Sequence, residues 1–170
     1  MPVRIKRREA AKLCTVSRWI RREECTLSED VPGPPDDVRG FYVDLDNIKL
    51  VHPLVVSVCK VDRRDTPDGY VQIYRVVDRI PVGPVHLRTN YVARLYVPVA
   101  GDVLTEARQF PRVRLSGTVS FEPIAAGTRV VERIRIEAPR PLASITVGKA
   151  VEAHTEMLAG IRRRFERAPA

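Results

Sequence analysis

Three cysteines, three histidines and 6% aromatic residues are a thin supply of chemistry for a chain of 170 residues. Each scarcity excludes something. Cys14, Cys25 and Cys59 make an odd number at irregular spacing, with no CxxC and no Cys/His ligand pattern. Neither a zinc site nor a disulfide framework follows from them, and a reducing cytoplasm suits them best. No stretch approaches the roughly 20 apolar residues of a membrane span. The basic N-terminus is not followed by an apolar run and a small-residue cleavage site, so no secretory signal is read. GxSxG, P-loop and GxGxxG sequences are missing, which removes three common catalytic and nucleotide-binding signatures; no cofactor is expected. Basic residues do not interleave with the few aromatics in any strand-like segment, so specific nucleic-acid binding is not expected either.

What the chain does have is an ordinary 44% hydrophobic share, enough at this length for one domain with a proper core. Its net charge of +8 is unevenly placed. Residues 1–23 sum to +6, residues 161–170 to +3, and the remainder to −1. The body is neutral and the ends are basic. Residues 1–22 read as a basic extension, disordered or helical, ahead of a domain spanning residues 23–170. Such ends suit weak contact with an anionic membrane surface more than a charged face built into the fold.

Hydrophobic periodicity then orders the elements. Cys25, Leu27, Glu29 and Val31 alternate with polar neighbours, which predicts a strand over "EECTLSEDV". Pro34 and Pro35 open a short helix with Asp36 and Asp37 in its first turn, where the helix dipole favours acids. Val38, Phe41 and Tyr42 share one face of it. A second short helix is expected over "DNIKLVH", with Asp46 as its N-cap. His52-Pro53 ends that helix, and His52 reads as a corner residue rather than a general base. From Leu54 the chain is strand: Leu54–Asp62, Tyr70–Ile80 up to a break at "PVGP", then "VHLRTNYVARLYVPV". In the last of these Val85, Leu87, Thr89, Tyr91, Ala93, Leu95 and Val97 point one way. "DVLTEARQF" and "RVRLSGTVSFEPI" follow, the latter with Val113, Leu115, Gly117, Val119 and Phe121 inward. In "RVVERIRIEA", Val130, Ile134 and Ile136 share a face that also carries Glu132. Pro141 is read as the end of the sheet. A helix from about Leu142 to Arg167 closes the chain, with Val147, Val151, His154, Leu158, Ile161 and Phe165 as its apolar stripe.

One strand, two short helices, six strands and one long helix define an α+β fold. The dry face of an antiparallel sheet needs a cover, and the last helix is the one element long enough. The order resembles the helix-grip fold of the START-like (SRPBCC) superfamily, in which a curved antiparallel sheet wraps around a long C-terminal helix and two short helices follow the first strand. "VPGPPDDVRGFYVDLDNIKLVHPLV" is similar to the family's opening. "GTVSFEPIAAGTRVVERIRIE" is similar to its last hairpin. The superfamily includes polyketide cyclase/dehydrase-type proteins and lipid-transfer domains.

The resemblance implies a cavity between sheet and helix that holds a small hydrophobic or amphipathic ligand, lipid or polyketide-like. The inward positions Tyr74, Leu87, Tyr91, Leu115, Val119, Val130, Ile134, Val151, His154 and Leu158 are its candidate lining, each standing equally well for packed core. Its mouth is expected near Pro141–Ser144 and the "PVGP" turn. Catalysis is the alternative. His154 lies on the dry helix face, where Tyr91 or Glu132 can meet it, and such a pair in an apolar cavity suits an aromatase/cyclase. The reading preferred for His154 is a core histidine bonded to one polar neighbour. A third alternative is a surface-docking module that uses its basic ends.

Overall fold

The computed structural model describes residues 19–167. The basic extension expected at residues 1–22 therefore lies outside the described residues as far as Arg18, while Ile20–Arg22 belong to the first strand. The elements are β1 (Ile20–Val31), α1 (Pro35–Val43), α2 (Leu45–Ile48), β2 (Val55–Thr66), β3 (Gly69–Val82), β4 (Val85–Pro98), β5 (Val103–Gln109), β6 (Val113–Ile124), β7 (Gly127–Pro139) and α3 (Arg140–Glu166). The seven strands form one antiparallel sheet in the order β1-β7-β6-β5-β4-β3-β2. The first strand thus pairs with the last, and α3 closes the dry face. This is the helix-grip architecture.

Several boundaries differ from the sequence reading, each for a local reason. β1 begins at Ile20, because Ile20–Arg22 pair with Pro139–Glu137 of β7. β2 runs on through Arg63–Asp65, whose charges pair along the strand: Arg64 with Asp62 at 2.8 Å and Arg63 with Asp65 at 3.2 Å. That leaves a two-residue loop, Pro67-Asp68, before Gly69. A Cβ on Gly69 would lie 2.1 Å from the Val97 carbonyl oxygen, so only glycine fits there. β3 likewise includes Pro81 and Val82, and the break shrinks to Gly83-Pro84, with Gly83 at φ +57°. Asp44, not Asp46, caps α2: its extended backbone precedes the helix, and its carboxylate accepts the Asp46 N–H at 3.1 Å. Pro141 opens α3 instead of ending the sheet. A proline in the first turn loses no helical hydrogen bond, because that N–H has no partner anyway.

α3 lies closest to β1 and β7. Its buried face consists of Ala143, Ala153, Met157, Leu158, Gly160 and Ile161, while Val147 and Val151 are only half-buried. The expected stripe is thus partly displaced onto smaller residues. Close approach is the reason: a Cβ added to Gly160 would meet the Val51 side chain at 2.8 Å. Leu158 and Ile161 join Val31, Val38, Val76, Val103, Val119 and Val130 in the principal core cluster. Full burial of each such side chain contributes about 1.5–3 kcal/mol. The core therefore gathers under α3 and the short helices, and β3–β6 reach beyond it.

The two glycines of α3 separate packing from propensity. Gly148→Ala meets open space and should stabilise the protein by up to ~1 kcal/mol through helix propensity. Gly160→Ala gains the same propensity but must displace Val51, and should lower the melting temperature. Thermal denaturation of the two variants checks both signs.

Candidate ligand cavity and its polar floor

Beyond the core, the inner faces of β3–β6 and the first half of α3 enclose a cavity of about 300 Å³. Most of its wall is aliphatic, including Val55, Val58, Ile80, Leu87, Leu115, Val119, Ile134, Ala150 and Met157. Its rim is apolar and exposed. Leu87 comes from the β3–β4 hairpin, Phe110 and Pro111 from the β5–β6 turn, and Leu142 and Ile145 from the start of α3. The hairpin and helix parts of this rim lie where the mouth is expected from the sequence; the Phe110-Pro111 turn has no counterpart in that reading.

Successive residues of β3 locate the floor. Tyr74 and Val76 are buried in the core, Asp78 is buried at its limit, and Ile80 and Val82 face the cavity half-buried. Polar groups therefore gather where core meets cavity, in two sets.

The first set centres on Glu132. It is the inward residue between Val130 and Ile134 of β7 and only 1% exposed. Far from reaching water at a strand end, it receives the Tyr42 hydroxyl of α1 on Oε1, and its Oε2 lies 2.9 Å from His154 Nδ1 of α3. Both carboxylate oxygens are thus satisfied by helices. The contact assigns the Nδ1 proton of His154 to Glu132, and Nε2 makes no hydrogen bond among the described residues. Burial lowers the His154 pKa, but the Glu132 charge and hydrogen bond, with help from Asp78, outweigh it and hold the imidazole above its usual value. Burial, reinforced by the Glu132 charge, raises the Tyr42 hydroxyl well above the usual range. The His52 ring stands edge-on to His154, with centroids 5.7 Å apart. Burial and the neighbouring His154 push His52 down to about 3, so it stays neutral. Its Nδ1 accepts the Leu54 N–H at 3.3 Å. His52 turns the corner into β2 and also lines the cavity.

The second set is Asp78, Thr89 and Tyr91. Asp78 and Thr89 are register partners across β3 and β4, and Tyr91 is the next inward residue on β4. Tyr91 lies near enough to Asp78 for each to influence the other's pKa. Burial pushes the Asp78 pKa up to about 6, against the smaller opposing pull of Tyr91 and of the His154 charge.

Of the candidate lining residues, Leu87, Tyr91, Leu115, Val119, Ile134 and His154 face the cavity. Tyr74, Val130 and Leu158 do not; they belong to the core, and the Tyr74 hydroxyl donates to the Val43 carbonyl at 3.3 Å. Val151 is half-buried and lies outside the cavity wall. Of the three candidate catalytic residues, Glu132 and His154 are in contact, while Tyr91 meets Asp78 instead. The sequence reading passes over Asp78, Thr89 as a polar group, and Tyr42 as a partner for Glu132. A signal for Asp78 exists: it shares the inward register of Tyr74 and Val76. Among the described residues, no group of three or more His, Cys, Asp or Glu side chains is placed to hold a metal ion. None of the described helices is long and apolar enough to cross a membrane.

Residues 22–166 match the family model described as polyketide cyclase / dehydrase and lipid transport. The chain belongs to that family. No curated protein matches its sequence. Among solved structures, TTHA0849 from Thermus thermophilus is similar with a TM-score of 0.69 and 21% identity, over 87% of this chain and 100% of that one. The Zhui aromatase/cyclase from Streptomyces sp. R1128 is similar with a TM-score of 0.64 and 17% identity, over 88% and 97%. A START superfamily protein from Mycobacterium smegmatis gives 0.59 and 13%, over 84% and 97%. At these identities the likeness is one of fold.

A raised carboxyl pKa has a definite sign in stability. The fold binds the Asp78 proton more tightly than the unfolded chain does, so this contribution is complete below about pH 4 and is lost as pH rises through about 6. Asp78→Asn removes the loss. It should leave stability nearly unchanged at pH 4 and raise it by on the order of 2–3 kcal/mol at pH 7.5. Urea denaturation across that range checks the difference; a constant offset would contradict the burial of a titrating Asp78.

Proposed function

We propose that the protein binds a small hydrophobic or amphipathic ligand, lipid- or polyketide-like, in the cavity between the sheet and α3. The observation that carries this reading is the cavity itself: about 300 Å³, walled by aliphatic side chains, and open through an apolar rim. That volume lies at the small end of ligand pockets, which span about 300–1,000 Å³. Affinity would come chiefly from apolar area removed from water, at roughly 25 cal/mol per Å² before the costs of binding. Family membership supports the same reading. The free thiols of Cys25 and Cys59 suit a reducing cytoplasm.

Catalysis of the aromatase/cyclase kind is a second reading, favoured by one observation. His154 is oriented by Glu132 through Nδ1, which leaves Nε2 for a proton transfer, as a general base requires. Surface docking through the basic ends is supported less. Arg162, one of the C-terminal arginines, is already paired with Glu29 at 3.1 Å and with Glu166 at 2.8 Å.

Native mass spectrometry on protein purified from its own host tests the first reading and separates it from the second. Ligand binding gives a reproducible added mass that is lost on denaturation. His154→Gln keeps that same species if the protein only binds. If His154 catalyses a dehydration, the variant instead retains a species heavier by one water. A clean apo mass for wild type would remove the ligand-binding reading.

A further inference from the structure

Two polar atoms at the cavity floor have no partner. Asp78 Oδ1 and Thr89 Oγ1 are shielded from solvent and make no hydrogen bond among the described residues. They belong to residues directly opposite each other on β3 and β4, and both residues line the cavity. Asp78 is only 7% exposed. Leaving a buried polar group unpaired costs about 1–3 kcal/mol. Native proteins keep few such atoms, and two side by side on a cavity wall call for an explanation.

Their chemistry is complementary. A carboxyl oxygen accepts, and a threonine hydroxyl can donate or accept. A single hydroxyl between them satisfies both, donating to Asp78 and accepting from Thr89. On the basis of the ligand-binding reading above, we infer that the floor of the cavity recognises the hydroxyl group of a compact apolar ligand through Asp78 and Thr89. The hydroxyl then points down, toward the core, and the apolar body lies along Leu115 and Ile134 toward the rim at Leu142 and Phe110. This is the reverse of a membrane lipid that leaves its head in water. Both atoms are covered against a water-sized probe, so engagement requires the two side chains to change rotamer. The penalty for leaving them unpaired favours that change. The raised Asp78 pKa accords with a carboxyl that lacks full compensation.

Matched probes test this: β-naphthol, and β-methylnaphthalene, in which a methyl group replaces the hydroxyl. Affinities are measured by fluorescence titration at pH 7.5 for wild type, Asp78→Val and Thr89→Val. Both variants put strand-forming apolar residues in place of the unpaired groups, and retained folding is checked by circular dichroism. Wild type should bind the naphthol at least ~10-fold more tightly, the equivalent of one hydrogen bond. In each variant the preference should fall to parity or reverse. Equal affinity of wild type for the two probes would overturn the inference while leaving the cavity reading intact. That is also the result expected if an ordered water alone bridges the two atoms. A naphthol preference that survives both substitutions would overturn it as well. Binding of neither probe would overturn the cavity reading and the inference together.

Discussion

A carboxylate on the inward face of β7, one strand in from the sheet's edge, is the constraint around which the rest of the fold is arranged. Glu132 lies between Val130 and Ile134 on β7, where alternation would place an aliphatic residue. Taking it out of water without partners would cost several kcal/mol. The partners come from elsewhere in the chain: Tyr42 from α1, ninety residues before it, and His154 from α3. Neither hydroxyl nor imidazole can reach Glu132 unless both helices are docked on the sheet. The carboxylate therefore fixes the positions of α1 and α3 at once, with a directionality that apolar packing alone does not provide.

That docking decides where the protein is solid and where it is hollow. α3 lies closest to β1 and β7, and its buried face carries small residues: Ala143 packs beside Ala138 of β7, and Gly160 lets the segment at Val51 approach closely. The opposite limb of the sheet, β3 to β6, meets the helix's side chains only in part, through the cluster that holds Leu158 and Ile161 and through Ala143 beside Val113. α1 and α2 fill one end of that gap through Val38, Tyr42 and Ile48. Among the described residues nothing fills the other end, and the aliphatic faces of β4 and β6 become a wall. Core and cavity are thus two parts of one surface, divided by where the last helix lies.

The elements and their order are legible because antiparallel strands with one wet face repeat with period two, as β4, β6 and β7 do. Glu132 and His154 stand out for the same reason, each a polar residue in an apolar register. Asp78 breaks the pattern of β3 in the same way, but it emerges only once the faces of the strand over Tyr70–Ile80 are assigned. The helix stripe is harder to read. Val147 and Val151 look like core by hydrophobicity, yet close packing selects for small size, and Ala153 and Gly160 show no such signal in a sequence. Asp44 and Asp46 are both good caps, and only the backbone tells them apart. The cavity's extent depends on how far α3 lies from β4 and β5, a distance that no local pattern encodes.

Glu132 and Asp78 show how one fold uses the same chemistry for two ends. Both are acids on the inward face, both nearly inaccessible to water, and they stand at the same boundary between core and cavity. Glu132 has a donor on each oxygen, and its contacts run to helices that must not move. Asp78 lies near Tyr91, its Oδ1 is unpaired among the described residues, and burial pushes its pKa up to about 6. A fully satisfied buried network rigidifies a core, whereas an incomplete one is a standing cost. Valine at position 78 would remove the unpaired oxygen and suits a strand. In the reading proposed above a ligand hydroxyl would complete the contacts of Asp78, whereas Glu132 is complete without one.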